Sequence, residues 1–169
     1  MLSLFRKNII KELDLMKKGL KIHYRDIPSL TPTREVDKYL LMHKDQKKTV
    51  EEIAKFSKRD AEIYPKYEEY LAKFCQFWEN NLDDIPINSI PNPSITDKLA
   101  FFKRSYSSEI DYFDFGRFLT SSVEEMLDNW FESDILKASL ATDGIIGENL
   151  SVKNHSTAYV LLHHVMGEL

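Results

Sequence analysis

Leu2, Phe5, Ile9, Leu13 and Met16 recur at three- and four-residue steps, which places them on one face of a helix. Gly19 is well placed to end that helix, since a residue without Cβ takes a left-handed backbone at no steric cost. The period then changes. Leu20, Ile22 and Tyr24 alternate with Lys21, His23 and Arg25, which predicts a strand over residues 20–25. A turn-rich stretch from Asp26 to Arg34 holds Pro28 and Pro32 and leads to a second short strand at Tyr39–His43. The two strands would form a β-ribbon.

Helical signals dominate from there on. Thr49-Val50-Glu51-Glu52 reads as a capping box, and Ser57-Lys58-Arg59-Asp60 repeats it with aspartate in the last place. The following helix is predicted to run to about Asn80 with a bend at Pro65. Tyr67, Tyr70, Leu71, Phe74, Phe77 and Trp78 form an aromatic stripe along it, more simply core than ligand box. Residues 83–93 carry Pro86, Pro91 and Pro93 and read as a linker. Beyond it Ser94, Ser121 or Ser122, and Ser133 each precede a helical pattern with an acid about three residues on. The helices predicted are Ile95–Arg104, Val123–Phe131, Asp134–Ile146 (closed by Gly144 and Gly147) and Ala158 to about Met166. The expected fold is helix-dominated α+β with two or more short strands. Residues 1–82 would hold a helix, a strand pair and the long helix, and residues 94–169 a helical cap.

Composition narrows the classes. A chain of 169 residues, 43% hydrophobic and 30% charged, is long enough to bury a real core. Its net charge of -4 argues against generic nucleic-acid binding. A single cysteine, Cys75, excludes a disulfide framework and a cysteine-rich zinc site within the chain. No run approaches the ~18 to 20 apolar residues of a membrane span. The N-terminal stretch with Arg6, Lys7, Lys11, Lys17, Lys18 and Lys21 has the look of a transit peptide or membrane-surface helix, but Glu12 and Asp14 oppose that. We read it as an ordinary core-packed helix.

Candidate chemistry is sparse. His163 and His164 are adjacent, so on a helix they point about 100° apart and do not easily face one metal ion. No HExxH spacing accompanies them, and a structural role is the plain reading. Cys75 sits among Phe74, Phe77 and Trp78, as a small buried hydrophobe does. There is no GxGxxG after a strand, so FAD or NAD binding by this chain alone is unsupported.

Three islands carry a resemblance: GLKIHYRD with S.TP (from Gly19), EIAKFSKRDAEIYPKYEEYL (from Glu52), and the blocks Leu127–Gly147 and Thr157–Gly167. In this order the chain resembles the substrate-side segment of the phytoene-desaturase-like FAD-dependent oxidoreductases. Residues 83–93 and Lys98–Phe118 match poorly, and Asn154-His155-Ser156-Thr157 stands where that family has Pro-Gly. The resemblance implies an internal piece of a two-domain, mitochondrial matrix flavoprotein, with flavin-binding Rossmann parts before Met1 and after Leu169. It implies FAD in the full-length parent and none on this piece. No catalytic or metal residue is assigned. Tyr159 and His163, four apart on one helical face, would meet a small apolar substrate, with His164 structural. The partners implied are the flavin-binding domain of the same chain and a mitochondrial protein. The alternative is a free-standing helical module that binds a protein or a membrane surface without catalysis.

Overall fold

The computed structural model describes residues 5–82, 92–106, 110–147 and 149–168. Among these lie eight α-helices and one two-stranded antiparallel sheet. The order is α1 (Lys7–Glu12), β1 (Ser29–Pro32), β2 (Tyr39–Met42), α2 (Gln46–Ala54), α3 (Lys58–Leu82), α4 (Ile95–Tyr106), α5 (Tyr112–Thr120), α6 (Val123–Trp130), α7 (Asp134–Ala141) and α8 (Leu161–Glu168). Short 3-10 turns at Thr142–Gly144 and Ala158–Val160 follow α7 and precede α8. The helix-dominated α+β class predicted from the pattern is the one observed. The linker read over residues 83–93 falls almost wholly outside the described residues.

The core is built on α3. Tyr64, Tyr67, Leu71, Phe74 and Cys75 recur along one face, and all are buried. Tyr67 meets Phe131 edge-on at 5.0 Å between centroids, and Phe74 lies 4.9 Å from Phe115 and 5.0 Å from Phe118. The aromatic stripe is therefore mostly core, with Trp78 at its exposed end. The helix continues unbroken through Pro65.

The N-terminal part departs from the pattern in three ways. Residues 20–25 are not a strand; the first strand lies at Ser29–Pro32, inside the stretch read as turn. Alternation alone cannot hold a strand that has no partner to take its amides. Ser29–Pro32 finds one, pairing Thr31 with Leu40 and Pro32 with Tyr39. Leu40 and Met42 face the core, and Thr31 beside Leu40 donates to Ser139 of α7 at 3.0 Å. Second, α1 is short and buries no residue, so it is not the core-packed helix expected. Ile9, Leu13 and Met16 stay exposed. Gly19 does end that region with a positive φ of 99°, its amide and that of Leu20 returning to the Met16 and Leu15 carbonyls. Third, Thr49 is no cap. Asp45 caps α2, while buried Thr49 donates to the His43 carbonyl and accepts from the His43 amide, tying α2 to the end of β2.

Ser57 begins α3, where the second box spacing placed a helix start, and α2 precedes it as a separate helix. The Ser57 Oγ accepts from the Asp60 amide at 3.1 Å and donates to Glu132 at 2.8 Å. Asp60 does not complete a box. Its carboxylate is fully buried and accepts from the Glu132 and Ser133 amides at 2.8 to 3.2 Å, with the Arg59 guanidinium at 3.3 Å. Those amides open the turn between α6 and α7, where Ser133 makes no side-chain cap of its own.

The start of α6 is held as firmly. Ser122 caps it through the Glu125 amide, and buried Thr157 accepts from the Val123 amide at 2.9 Å. The Glu124 amide donates to the Val152 carbonyl. Gly144 approaches so closely that a Cβ there would collide with Val123. Helix α5 was not foreseen; Asp111 caps it by accepting from the Phe113 and Asp114 amides.

Replacing Asp60 with alanine strands two amides, so stability should fall by roughly 2 to 4 kcal/mol in urea melts, with Asp60→Asn milder. A shift under about 0.5 kcal/mol would remove Asp60 from its central place. Gly144→Ala should cost about 1 to 3 kcal/mol through overpacking. Adding Val123→Ala should recover part of that loss. Strict additivity of the two changes would mean the glycine contact carries no energy.

Candidate functional site

Two clefts lie among the described residues, and neither Tyr159 nor His163 lines them. Tyr159 sits in the 3-10 turn before α8, and His163 one turn into the helix. Leu161 and Leu162 turn inward to the core, which sends the Tyr159/His163 face outward, and both residues are exposed. The His164 side chain lies outside the described residues, as does its predicted structural role.

One cleft lies between α3, α5 and α6, with a volume of about 220 Å³. Helix α3 contributes Tyr70; α5 contributes Asp114, Arg117 and Phe118; α6 contributes Met126, Asn129 and Trp130, with Ser121 between them. Phe118 and Met126 are buried floor residues. The Tyr70 ring lies 5.3 Å from Trp130 and 6.2 Å from Phe118, between centroids, so one wall is aromatic. Burial, then the Asp114 charge and a hydrogen bond to it, push the Tyr70 hydroxyl above its ordinary range; Arg117 opposes this in part. Tyr70 therefore stays a neutral donor facing a carboxylate.

The cleft offers a phenol, a carboxylate, a guanidinium and an amide around an apolar floor. That set binds and orients a small polar molecule. It does not resemble a nucleophilic centre: the Ser121 hydroxyl donates to the Arg117 carbonyl at 2.8 Å and not to the Asp114 carboxylate. Sequence reasoning missed this site because it missed α5. The available signal was Asp111 as a cap, with Asp114, Arg117 and Phe118 at helical steps beyond it.

A wider opening of about 320 Å³ is lined by Asp26, His43, Lys44, Asp45 and Lys48 where β2 passes to α2. It mixes both charges. The Lys44 ammonium there lies 4.9 Å from the Tyr24 ring centre. Among the described residues no cluster of His, Cys, Asp and Glu could hold a metal ion. No described helix is long and apolar enough to cross a membrane.

Cys75 is fully buried, its Sγ 3.7 Å from the Leu162 carbonyl oxygen. Burial, and next the charge of Glu79, push the thiol up to about 12. It is a packing group, as its sequence neighbours suggested.

Comparison with known proteins supplies the kinship. The chain is homologous over its whole length to the rat protein named pyridine nucleotide-disulfide oxidoreductase domain-containing protein 2, at 34% identity over 187 aligned residues. The mouse protein of the same name is 35% identical over the same span. The chain covers 32% of the length of each of these relatives. No protein-family profile matches it, and no solved structure does.

The buried thiol sets a pH dependence. Below about pH 9 the thiol is protonated whether the chain is folded or not, and it adds no slope. Between about 9 and 12 the unfolded chain releases this proton while the folded chain keeps it, so stability falls as pH rises. Tyr67 and Tyr70, also raised, add the same sign above about pH 10. Cys75→Ala should flatten the slope of unfolding free energy between pH 9 and 10. An unchanged slope would show that the thiol titrates normally.

Proposed function

We propose that the chain forms the substrate-side helical part of a flavin-dependent oxidoreductase of the phytoene-desaturase-like class, with FAD held by sequence outside it. The observation that carries this reading is whole-chain homology to proteins named for a pyridine nucleotide-disulfide oxidoreductase domain. In such an enzyme the flavin takes up the electrons, and the protein orients the substrate.

The residues present do not fit the cofactor's pyrophosphate. That group needs a strand, a glycine-rich turn and a helix start whose amides converge on it. The sequence has no GxGxxG, and the strands described are an antiparallel pair. No residue here is assigned to flavin chemistry.

The surface supports a docking role. Leu13, Met16, Tyr24, Ile27 and Leu30 are all exposed along the N-terminal arm and hairpin. Such a set is the face a flavin-binding part would cover. The final helix contributes little, because Leu162 is buried with its carbonyl oxygen against Cys75 and Val165 packs against the core. Tyr159 and His163 remain outward on the same turn and would meet a small apolar substrate at that seam. A mitochondrial matrix location and a mitochondrial protein partner belong to the same proposal.

A non-catalytic interaction module is the second reading, favoured by one observation: α1 is basic and buries nothing against its own chain. Purified chain titrated with FAD separates part of this. No binding in the micromolar range is expected, and a yellow protein with stoichiometric FAD would overturn the division of labour. In a longer protein that joins this chain to a flavin-binding part, His163→Gln should lower turnover with FAD content unchanged. Damage from His164→Gln with His163→Gln silent would reverse the assignment of the two histidines.

A further inference from the structure

We propose that the cleft between α3, α5 and α6 binds a free α-amino acid with an apolar or aromatic side chain. The inference stands on this cleft alone and does not need the flavin reading.

The starting point is a pair of charges that do not meet. Asp114 and Arg117 stand one helical turn apart on α5 and line the same cleft. Opposite charges at that spacing usually close on each other, as Glu35 with Lys38 and Asp134 with Lys137 do here. Among the described residues no ion pair joins Asp114 to Arg117. Arg117 is exposed and lines the cleft beside Tyr70, so its guanidinium is accessible to a ligand there.

A guanidinium fork matches a carboxylate in two-pronged geometry. Asp114, half-buried in the same cleft, has lone pairs to offer an ammonium. A ligand that satisfies both is a zwitterion with its ammonium and carboxylate on one carbon. Asn129 lies on the same rim and can both donate and accept. The third element is the apolar wall of Phe118, Met126 and Trp130, which suits an aliphatic or aromatic side chain. Size agrees. At about 220 Å³ the cleft falls short of the roughly 300 to 1,000 Å³ of pockets for drug-sized ligands, and a dinucleotide has no room there. Because the cleft is open, its charges stay partly solvated, and affinity should be weak, about millimolar.

The test uses the purified chain and L-phenylalanine as probe, following the Trp130 indole N–H by NMR. A saturable shift is expected, weakened about tenfold or more in Arg117→Gln and in Asp114→Asn. Two analogues dissect the contacts. 3-Phenylpropionate, which lacks the ammonium, and phenethylamine, which lacks the carboxylate, should each bind wild type more weakly than phenylalanine does. Phenethylamine should also be indifferent to Arg117→Gln, since it offers nothing to that guanidinium. Arg117 is exposed, so its variant tests the idea even where Asp114→Asn unfolds the chain. No saturable shift at tens of millimolar, or either analogue binding as well as phenylalanine, would overturn the proposal.

Discussion

A carboxylate withdrawn from water must be met by donors, or its burial opposes folding. Asp60 is met by the two amides that open the α6–α7 turn and, at its side, by Arg59. The two amides lie more than 70 residues along the chain from Asp60, so the placement of the turn depends on the start of α3. Ser57 doubles the link by joining Glu132 while it caps α3. The first turn of the longest helix and the connection between two later ones thus become a single hydrogen-bonded unit. Phe131, at the same junction, stacks edge-on against Tyr67, so the polar tie and the aromatic core fix the same geometry.

The consequence reaches the cleft through α6. This helix of eight residues is tied at its end by Asp60 and at its start by Thr157, Ser122 and the Val152 carbonyl. Gly144 lets the α7 side approach Val123 without a spacer. Pinned at both ends, α6 cannot slide along its axis against α3. Met126, Asn129 and Trp130 sit between the pins and form one wall of the cleft. The opposite wall, on α5, is held by aromatic contact of Phe115 and Phe118 with Phe74. A recognition site on rigid helices is better defined than one on loops. Capping chemistry far from Tyr70 therefore sets the spacing of the groups around it.

How much of this could be read in the sequence depends on the range of the interaction. The stripe on α3 was legible because its period is local, and so were the starts of α3, α4 and α6. Ser94 and Asp97 form the reciprocal box their spacing announces. Local spacing misled wherever a side chain found a distant partner. Thr49 and Asp60 both have box spacing, yet one ties to His43 and the other to the α6–α7 turn. Residues 20–25 alternate as a strand should, but pairing needs a second edge, and β2 gives its edge to Ser29–Pro32. Helix α5 was hidden by its poor helix formers, with Gly116 in the middle and four aromatics around it. Only its burial against α3 makes it helical. The cleft was hidden with it.

The two ends of the chain make a physical contrast that bears on function. At the C-terminal end, the apolar residues of the Thr157–Gly167 block are used up internally. Ala158, Leu161 and Leu162 are buried, and among the described side chains Tyr159 and His163 face out. At the N-terminal end, α1, predicted to pack into the core, buries none of its residues. Leu13 and Met16 are more than half exposed, and Tyr24 is 76% exposed. Leaving such side chains in water forfeits the burial free energy of about 1.5 to 3 kcal/mol that each could contribute. A helix as short as α1 has little intrinsic stability to hold it without packing. The arm therefore gains most from a partner surface, while the α3–α6–α8 core is already satisfied. Docking through the arm would leave the pinned core and its cleft unstrained.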